Sequence, residues 1–216
     1  MTWALAHIAA PTSVLDAACG PGADTLTLAD ALPSAEILAV DKQSRFVAAA
    51  RVRCEGFQDR VSCVEGDMFE AKGPFDLIWC AGAVYFAGVS EALARFKGQL
   101  AAGGHVAFSE PLAPGKDAPA SAHQFWDDYQ ALTDEAGIQE HIQNAGFETI
   151  ATRVIKGAPW NAYYTPMQAR INMLRASSQD PELEKVLNEC QREIDLWRSA
   201  PDDIAYLLCL TRPHAE

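Results

Sequence analysis

Three aspartates stand at the ends of successive apolar runs of the chain: Asp16, Asp41 and Asp67. A turn of small residues that contains Gly20 and Gly22 follows the first of them. If the runs are parallel strands, their carboxyl ends meet at one edge of a sheet and bring the three carboxylates together. A carboxylate accepts hydrogen bonds from a ribose diol or an adenine amino group, and glycine lets the backbone approach a ligand closely. The pattern predicts a nucleoside site, whereas one such aspartate alone could simply cap a helix.

Short apolar segments that alternate with amphipathic helices must position these residues. The predicted strands of the first half cover 13–19, 36–41, 61–67, 75–80 and 104–110. Apolar residues between them recur at helical spacing, as in Phe46, Val47, Ala50, Cys54 and Phe57. Alternation of this kind predicts an α/β fold with a doubly wound parallel sheet that is covered on both faces.

The second half has a different organisation, although no domain boundary is predicted within residues 1–216. Strands are expected at 148–155 and 204–211, with a helix near 133–145. Two late helices are expected to open at a Thr165–Gln168 capping box and at Asp180-Pro181. We expect the segments at about 112–132 and 156–200 to form a helical lid over the sheet.

The residues of the first turn distinguish between nucleotides. A dinucleotide fingerprint requires a third glycine, and Thr25 occupies that position. A pyrophosphate also favours a helix N-terminus without acid, but Asp24 lies beside this one. A sulfonium is cationic and tolerates acidic and aromatic surroundings. The acid-rich turn therefore favours S-adenosylmethionine (SAM) over NAD.

Five segments in order, VLDAACGPG, AVDKQ, GDMF, FDLIWCAGAVYF and LAAGGHVAFSEP, resemble the class I SAM-dependent methyltransferases. The resemblance covers roughly residues 12–111. It implies a Rossmann-like, seven-stranded sheet in the order 3-2-1-4-5-7-6 with strand 7 antiparallel. It also implies SAM as cofactor and S-adenosyl-L-homocysteine (SAH) as product. Pieces of the second half, such as Phe125–Tyr129 and Trp160–Pro166, look like a subgroup of bacterial small-molecule methyltransferases.

The resemblance also implies a role for each cofactor residue. It assigns the methionine part of SAM to Asp16, Gly20 and Gly22, the ribose to Asp41, the adenine to Asp67 with Met68, and the neighbourhood of the transferred methyl to Cys80 and Ala81. Lys42, next to Asp41, is placed in the same site. Ala18 stands where the family usually has its first glycine, and its methyl group is tolerable if φ there is negative.

Methyl transfer chiefly requires that donor and acceptor be aligned and water excluded, so a base is needed only for a protonated acceptor. Glu110, at the end of the fifth strand, is one candidate for contact with the acceptor. Tyr85, after the fourth strand, and His123, in the predicted lid, are the others. Aromatic residues of the lid would enclose a small organic acceptor. Each of these residues could instead be structural, and no metal site is expected.

Charge and composition narrow the possible partners. The formal net charge is −12, and there is no basic stripe to attract a nucleic acid. No apolar run is long enough to span a membrane, and no basic segment opens a secretory signal, so a cytoplasmic location is expected. The protein could be a monomer or a homodimer. Two other functions stay open: a non-catalytic SAM- or SAH-binding regulator, and an NAD-dependent oxidoreductase.

Overall fold

The computed structural model describes residues 1–129 and 131–214, and within them seven strands form one sheet. Its order is β3-β2-β1-β4-β5-β7-β6 with β7 antiparallel, so the expected topology is confirmed. The strands are β1 Ser13–Ala17, β2 Glu36–Asp41, β3 Val61–Glu65, β4 Phe75–Cys80, β5 Leu100–Leu112, β6 Phe147–Lys156 and β7 Ala205–Pro213.

Helices connect the strands in the way a doubly wound sheet requires. They are α1 Thr2–Leu5, α2 Ala23–Ala31, α3 Ser44–Arg53, α4 Val89–Lys97, α5 Ala120–Phe125, α6 Glu135–Asn144, α7 Asn161–Ser177 and α8 Pro181–Ser199. The described helices include none that is long and apolar enough to cross a membrane.

The chain divides into two compact units. The first contains residues 1–110, 136–153 and 208–214, and therefore most of the sheet. The second contains residues 111–135 and 154–207, with Gln130 outside the described residues. It has its own apolar core, in which Tyr164, Trp126 and Trp197 are buried. These segments include the stretches expected to form the lid, and their lid function stays a prediction.

Parallel pairing aligns the ends of the strands that carry the aspartates. In β1, Asp16 lies opposite Ala39 of β2 and Trp79 of β4. In β2, Asp41 lies opposite Glu65, the last residue of β3. Continuous apolar sequence allows these strands to be buried on both faces. The register therefore brings the carboxyl ends of β1, β2 and β3 to one edge, as the sequence predicts.

Several strand bounds differ from the predicted ones. The first strand ends at Ala17 because Ala18 has a left-handed backbone conformation that no strand continues through. The third ends at Glu65 because the side chain of Asp67 accepts the N–H of Phe69 and starts a 3₁₀ turn, Met68–Glu70. The fifth strand is longer than predicted, at Leu100–Leu112.

The predicted capping box at Thr165 is wrong. Helix α7 begins at Asn161, directly after a 3₁₀ turn at Ala158–Trp160, so Pro166 lies inside the helix. Tertiary packing overrides the local signal here, because Tyr164 is buried and its ring stacks on Trp160 at an interplanar angle of 10°. The predicted start of α8 is confirmed: Asp180 is the N-cap and accepts the N–H of Glu182 at 3.0 Å.

Candidate functional site

A cavity of about 580 Å³ lies in the first unit, at the carboxyl ends of β1, β2 and β3. This volume is in the usual range for small-molecule sites. It brings together five residues predicted for the cofactor: Ala18, Asp41, Lys42, Asp67 and Met68. The remaining lining residues are Val40, Gln43, Phe46, Gly66, Phe69, Phe86, Ala87 and Arg95.

The carboxylate of Asp41 is held by two backbone donors. Its Oδ2 accepts the N–H of Gly20 at 2.9 Å, and its Oδ1 accepts the N–H of Gln43 at 2.8 Å. These bonds fix the side chain between the turn after β1 and the start of α3. A carboxylate oxygen has two lone pairs, so each oxygen of Asp41 can still accept a ribose hydroxyl. The geometry fits the diol-binding function predicted for Asp41.

Asp67 is a second carboxylate in the same cavity. Its Oδ1 accepts the N–H of Phe69 at 2.9 Å, and its Oδ2 lies 3.1 Å from Nζ of Lys42. The Phe69 N–H, and after it the Lys42 ammonium, hold the pKa of Asp67 below its usual range. Asp67 therefore remains a hydrogen-bond acceptor at neutral pH, as the recognition of an amino group requires.

Apolar side chains complete the cavity, and the sequence interpretation missed two of them. Met68 is buried in the wall, whereas Phe46 is 45% exposed and Phe86 is 76% exposed. Phe46 and Val47 both belong to the set of apolar residues that recur at helical spacing around α3. Adjacent helical residues point in directions about 100° apart, so only Val47 reaches the core. Two accessible aromatic rings at a nucleoside-sized cavity can pack on a base.

Asp16 lies in the sheet rather than in the wall of this cavity. It is buried, and its Oδ2 accepts the hydroxyl of Thr25 at 2.5 Å. Burial raises the pKa of Asp16 to about 7, although the hydrogen bond from Thr25 acts to lower it. Thr25 stands where a dinucleotide fingerprint has its third glycine. The structure explains this residue, because its hydroxyl donates a hydrogen bond to the buried carboxyl group of Asp16.

Ala18 departs from the expected conformation. The sequence analysis accepted alanine there on condition that φ is negative, and φ is +57°. A left-handed alanine costs roughly 1–2 kcal/mol. Neighbouring backbone bonds fix it in place: Cys19 N–H donates to Val40 at 3.0 Å, and Gly22 N–H donates to Cys19 at 3.0 Å. Ala18, the strained residue, lines the cavity. The backbone strain of the turn therefore lies on the side that would face a ligand.

The two glycines of the turn serve different physical purposes. At Gly20 φ is +53°, and an added Cβ would have no neighbour within 4 Å. At Gly22 φ is +81°, and an added Cβ would lie 2.8 Å from Cα and Cβ of Ala50. Gly20 thus leaves open space beside the turn, while Gly22, the N-cap of α2, allows α3 to pack closely. Contact of either glycine with methionine stays a prediction.

The residues predicted near the methyl group lie beyond this cavity. Cys80 is fully buried at the end of β4, with its sulfur 4.0 Å from that of Met68. Ala81 follows it and is exposed. Tyr85 packs its ring 4.2 Å, centroid to centroid, from the ring of Phe86. His123 lies exposed on α5 of the second unit, and its catalytic role stays a prediction.

Glu110 is the most unusual of the candidate catalytic residues. It is 9% exposed, and its Oε2 has no hydrogen-bond partner among the described residues. Burial raises the pKa of Glu110 to about 7. A buried polar atom without a partner is costly unless a ligand satisfies it. Among residues 1–129 and 131–214, no group of three or more His, Cys, Asp or Glu residues is arranged to hold a metal ion.

Comparison with known proteins finds a matching family for part of the chain. Residues 14–104 match the family described as "Methyltransferase domain". An uncharacterised protein of Synechococcus sp. is 36% identical over 97 residues, which are 42% of this chain. The match covers only 23% of that relative's length.

Two solved structures match nearly the whole chain. The SAM-dependent methyltransferase of Geobacter sulfurreducens, in complex with SAH, is 20% identical with a TM-score of 0.80, over 99% of this chain and 89% of that one. The SAM-dependent methyltransferase of Thiobacillus denitrificans, also with SAH, is 18% identical with a TM-score of 0.81, over 99% and 90%. The fold is therefore that of the class I methyltransferases. The family match itself covers residues 14–104, the part of the chain that runs from β1 into β5.

The contrast between the two glycines gives a first prediction. Gly22→Ala should lower the free energy of unfolding by about 2–4 kcal/mol, because it adds overpacking against Ala50 to left-handed strain. Gly20→Ala has only the strain and should cost about 1 kcal/mol. Chemical denaturation of the ligand-free protein measures both. Equal losses in the two variants would show that α3 does not restrict Gly22.

Burial of Asp16 gives a prediction with a defined pH dependence. The folded protein keeps the Asp16 proton up to pH about 7, whereas the unfolded chain loses it near pH 4. Asp16 therefore removes stability as the pH rises between these values. Asp16→Asn should raise the free energy of unfolding by about 1–3 kcal/mol at pH 8, with little effect at pH 4.

Asp76 is the control of opposite sign. Its Oδ2 accepts the N–H groups of Thr12 and Ser13 and the Thr12 hydroxyl. The Thr12 and Ser13 donors lower the pKa of Asp76. Asp76→Asn should therefore lose stability at pH 8 and recover it in acid. If Asp16→Asn also lost stability at pH 8, the pKa of Asp16 would not be raised in the folded protein.

Proposed function

We propose that this protein transfers the methyl group of SAM to a small organic acceptor and releases SAH. The observation that supports this most strongly is the cavity in which Asp41 and Asp67 are both fixed by backbone N–H groups. One carboxylate is suited to a ribose diol and the other to an adenine amino group. If the two aspartates only capped helices, they would not need to line the same cavity of about 580 Å³.

The lining residues divide the cavity into regions of different chemistry. Asp41 would hold the ribose through its remaining lone pairs, with Gly20 N–H keeping it oriented. Asp67 would accept from the adenine amino group, while Met68 and Phe46 would pack on the base. When bound, SAM supplies an already activated methyl group on a sulfonium. The protein therefore has to bind, orient and exclude water rather than activate the donor.

The turn after β1 favours SAM over a dinucleotide. Asp24, in the first turn of α2, has its Oδ2 held by the indole N–H of Trp79 at 2.8 Å. A fixed acid at this helix N-terminus repels a pyrophosphate and suits a cationic ligand. The Geobacter and Thiobacillus structures in complex with SAH support the same ligand for this fold.

On the acceptor side, we propose Glu110 as the base that removes a proton from the nucleophile. Glu110 lies on β5, the strand next to β4, at the end of segment 1–110 of the first unit. Its buried Oε2 needs a hydrogen-bond donor. Tyr85, also in the first unit, is proposed as a further acceptor contact, and contact of His123 and the lid aromatics with the acceptor stays a prediction. A small molecule is proposed because the net charge of −12 opposes nucleic acids. A bacterial source, a cytoplasmic location and a monomer or homodimer stay predictions.

Calorimetric titration tests the cofactor directly. The wild-type protein should bind SAM and SAH and give no binding heat with NAD. Asp41→Ala should weaken SAH binding by about 1.5–3 kcal/mol, since it removes a hydrogen bond to a charged group. Asp76→Ala is the matched control, because Asp76 also accepts backbone N–H groups but lies away from the cavity. Binding of NAD without SAM would overturn the proposed function.

The role of Glu110 is tested by the pH dependence of the rate. With an acceptor identified from a panel of hydroxyl and amine compounds, the wild-type rate should rise with a midpoint near pH 7. Glu110→Gln should lower kcat by about 10²–10³-fold at pH 8 and abolish that dependence. Glu91→Gln, at an exposed position of α4, should behave as wild type. An unchanged pH profile in Glu110→Gln would exclude Glu110 as the base.

A further inference from the structure

Gln99, the residue before β5, is hydrogen-bonded to the adenine end of the proposed cofactor site. It is buried and does not line the cavity. Its Nε2 donates to the carbonyl of Met68 at 3.1 Å and to that of Ala71 at 2.9 Å. Both partners belong to the segment that carries Met68 into the cavity wall.

We infer that Gln99 is a positioning residue that sets the adenine-binding turn, Met68–Glu70, from outside the site. This rests on the proposed function, because it assigns adenine to Asp67 and Met68. The two bonds from one amide fix both sides of the turn. Without them, the carbonyls of Met68 and Ala71 would lose a donor, and the turn could move together with the adjacent Asp67.

The backbone of Gln99 is itself firmly anchored. Its N–H donates to Phe96 at the end of α4, and its carbonyl accepts the N–H of Phe75, the first residue of β4. Gly73 also passes so close that an added Cβ would lie 2.1 Å from the Gln99 carbonyl oxygen. The side-chain amide therefore extends from a rigid point, and this is what a positioning residue requires.

The unused oxygen of the amide indicates what Gln99 is for. Its Oε1 is buried and has no hydrogen-bond partner among the described residues. An apolar side chain of similar length would avoid that desolvation cost. The stabilising contribution of this amide therefore lies in its two donated bonds, both of which end on the adenine-binding segment.

The other contacts of the turn act on residues within it, and its Glu70 N–H donates to the carbonyl of Asp67 at 3.0 Å. Asp67 accepts the N–H of Phe69, and the guanidinium of Arg95 lies 4.0 Å from the centroid of the Phe69 ring. Both act on Phe69, in the middle of the turn. The carbonyl of Ala71, beyond it, is held by Gln99 alone among the hydrogen bonds of the described residues.

Binding measurements on Gln99→Met test the inference, since methionine has a similar length and no N–H donors. The Kd for SAH should rise about 5- to 30-fold. The Kd for 5′-methylthioadenosine, which retains the nucleoside and lacks the amino-acid part, should rise by the same factor. A loss confined to SAH would overturn the inference, because it would place the defect at the methionine end.

Arg60→Met is the matched structural control. Arg60 also donates to backbone carbonyls, namely those of Ala29, Leu32 and Ala35, but these lie between the last turn of α2 and the start of β2. This variant should lower the Tm and leave both Kd values unchanged. If Arg60→Met and Gln99→Met weakened binding equally, Gln99 would contribute only to general stability.

A second variant keeps the test informative if Gln99→Met does not fold. Gln99→Asn retains the amide but is too short to reach both carbonyls, so the Kd for SAH should rise about 2- to 5-fold. Wild-type affinity in the folded Gln99 variants would refute the positioning role. Failure of the wild-type protein itself to bind SAH would instead overturn the proposed function.

Discussion

The candidate site depends on one contact between two turns: the backbone N–H of Gly20 donates to the carboxylate of Asp41. This bond joins the turn after β1 to the end of β2, so the two elements that bracket the cavity have a fixed separation. The left-handed backbone at Ala18 and Gly20 is what directs this N–H toward β2. The strained backbone at Ala18 thus helps to hold the Asp41 carboxylate in a fixed orientation. Backbone strain of this kind is common at binding sites.

Four acidic residues of the first unit have shifted pKa values, and the shifts have two opposite causes. Asp67 and Asp76 accept backbone N–H groups, and their pKa values are lowered. Asp16 and Glu110 are buried, and their pKa values are raised to about 7. Of the first pair, only Asp67 lines the cavity, where its lowered pKa keeps it a hydrogen-bond acceptor. The second can gain or lose a proton near neutral pH, which suits residues next to a cation or a proton-bearing acceptor.

Local sequence signals succeeded where one interaction dominates and failed where several compete. The cap at Asp180 was predicted correctly, because an aspartate before Pro181 satisfies the helix start by itself. The capping box at Thr165 was not, because burial of Tyr164 extends α7 past a favourable local start. Phe46 looked like a core residue by its spacing, yet its ring lies at the cavity. Periodicity does not distinguish a residue that faces the core from one on the neighbouring stripe of the helix.

The order of apolar runs and acidic strand ends was enough to determine the parallel sheet, its carboxyl edge and the presence of Asp41 and Asp67 there. These features follow from chain periodicity and the direction of parallel strands, which are properties of consecutive residues. Only the tertiary structure decided that Asp16 is buried against Thr25, that Gly22 accommodates Ala50 and that Gln99 holds the turn of Met68. Each of these is a contact between residues far apart in the chain or on different elements, and burial and hydrogen-bond geometry exist only after the elements have packed.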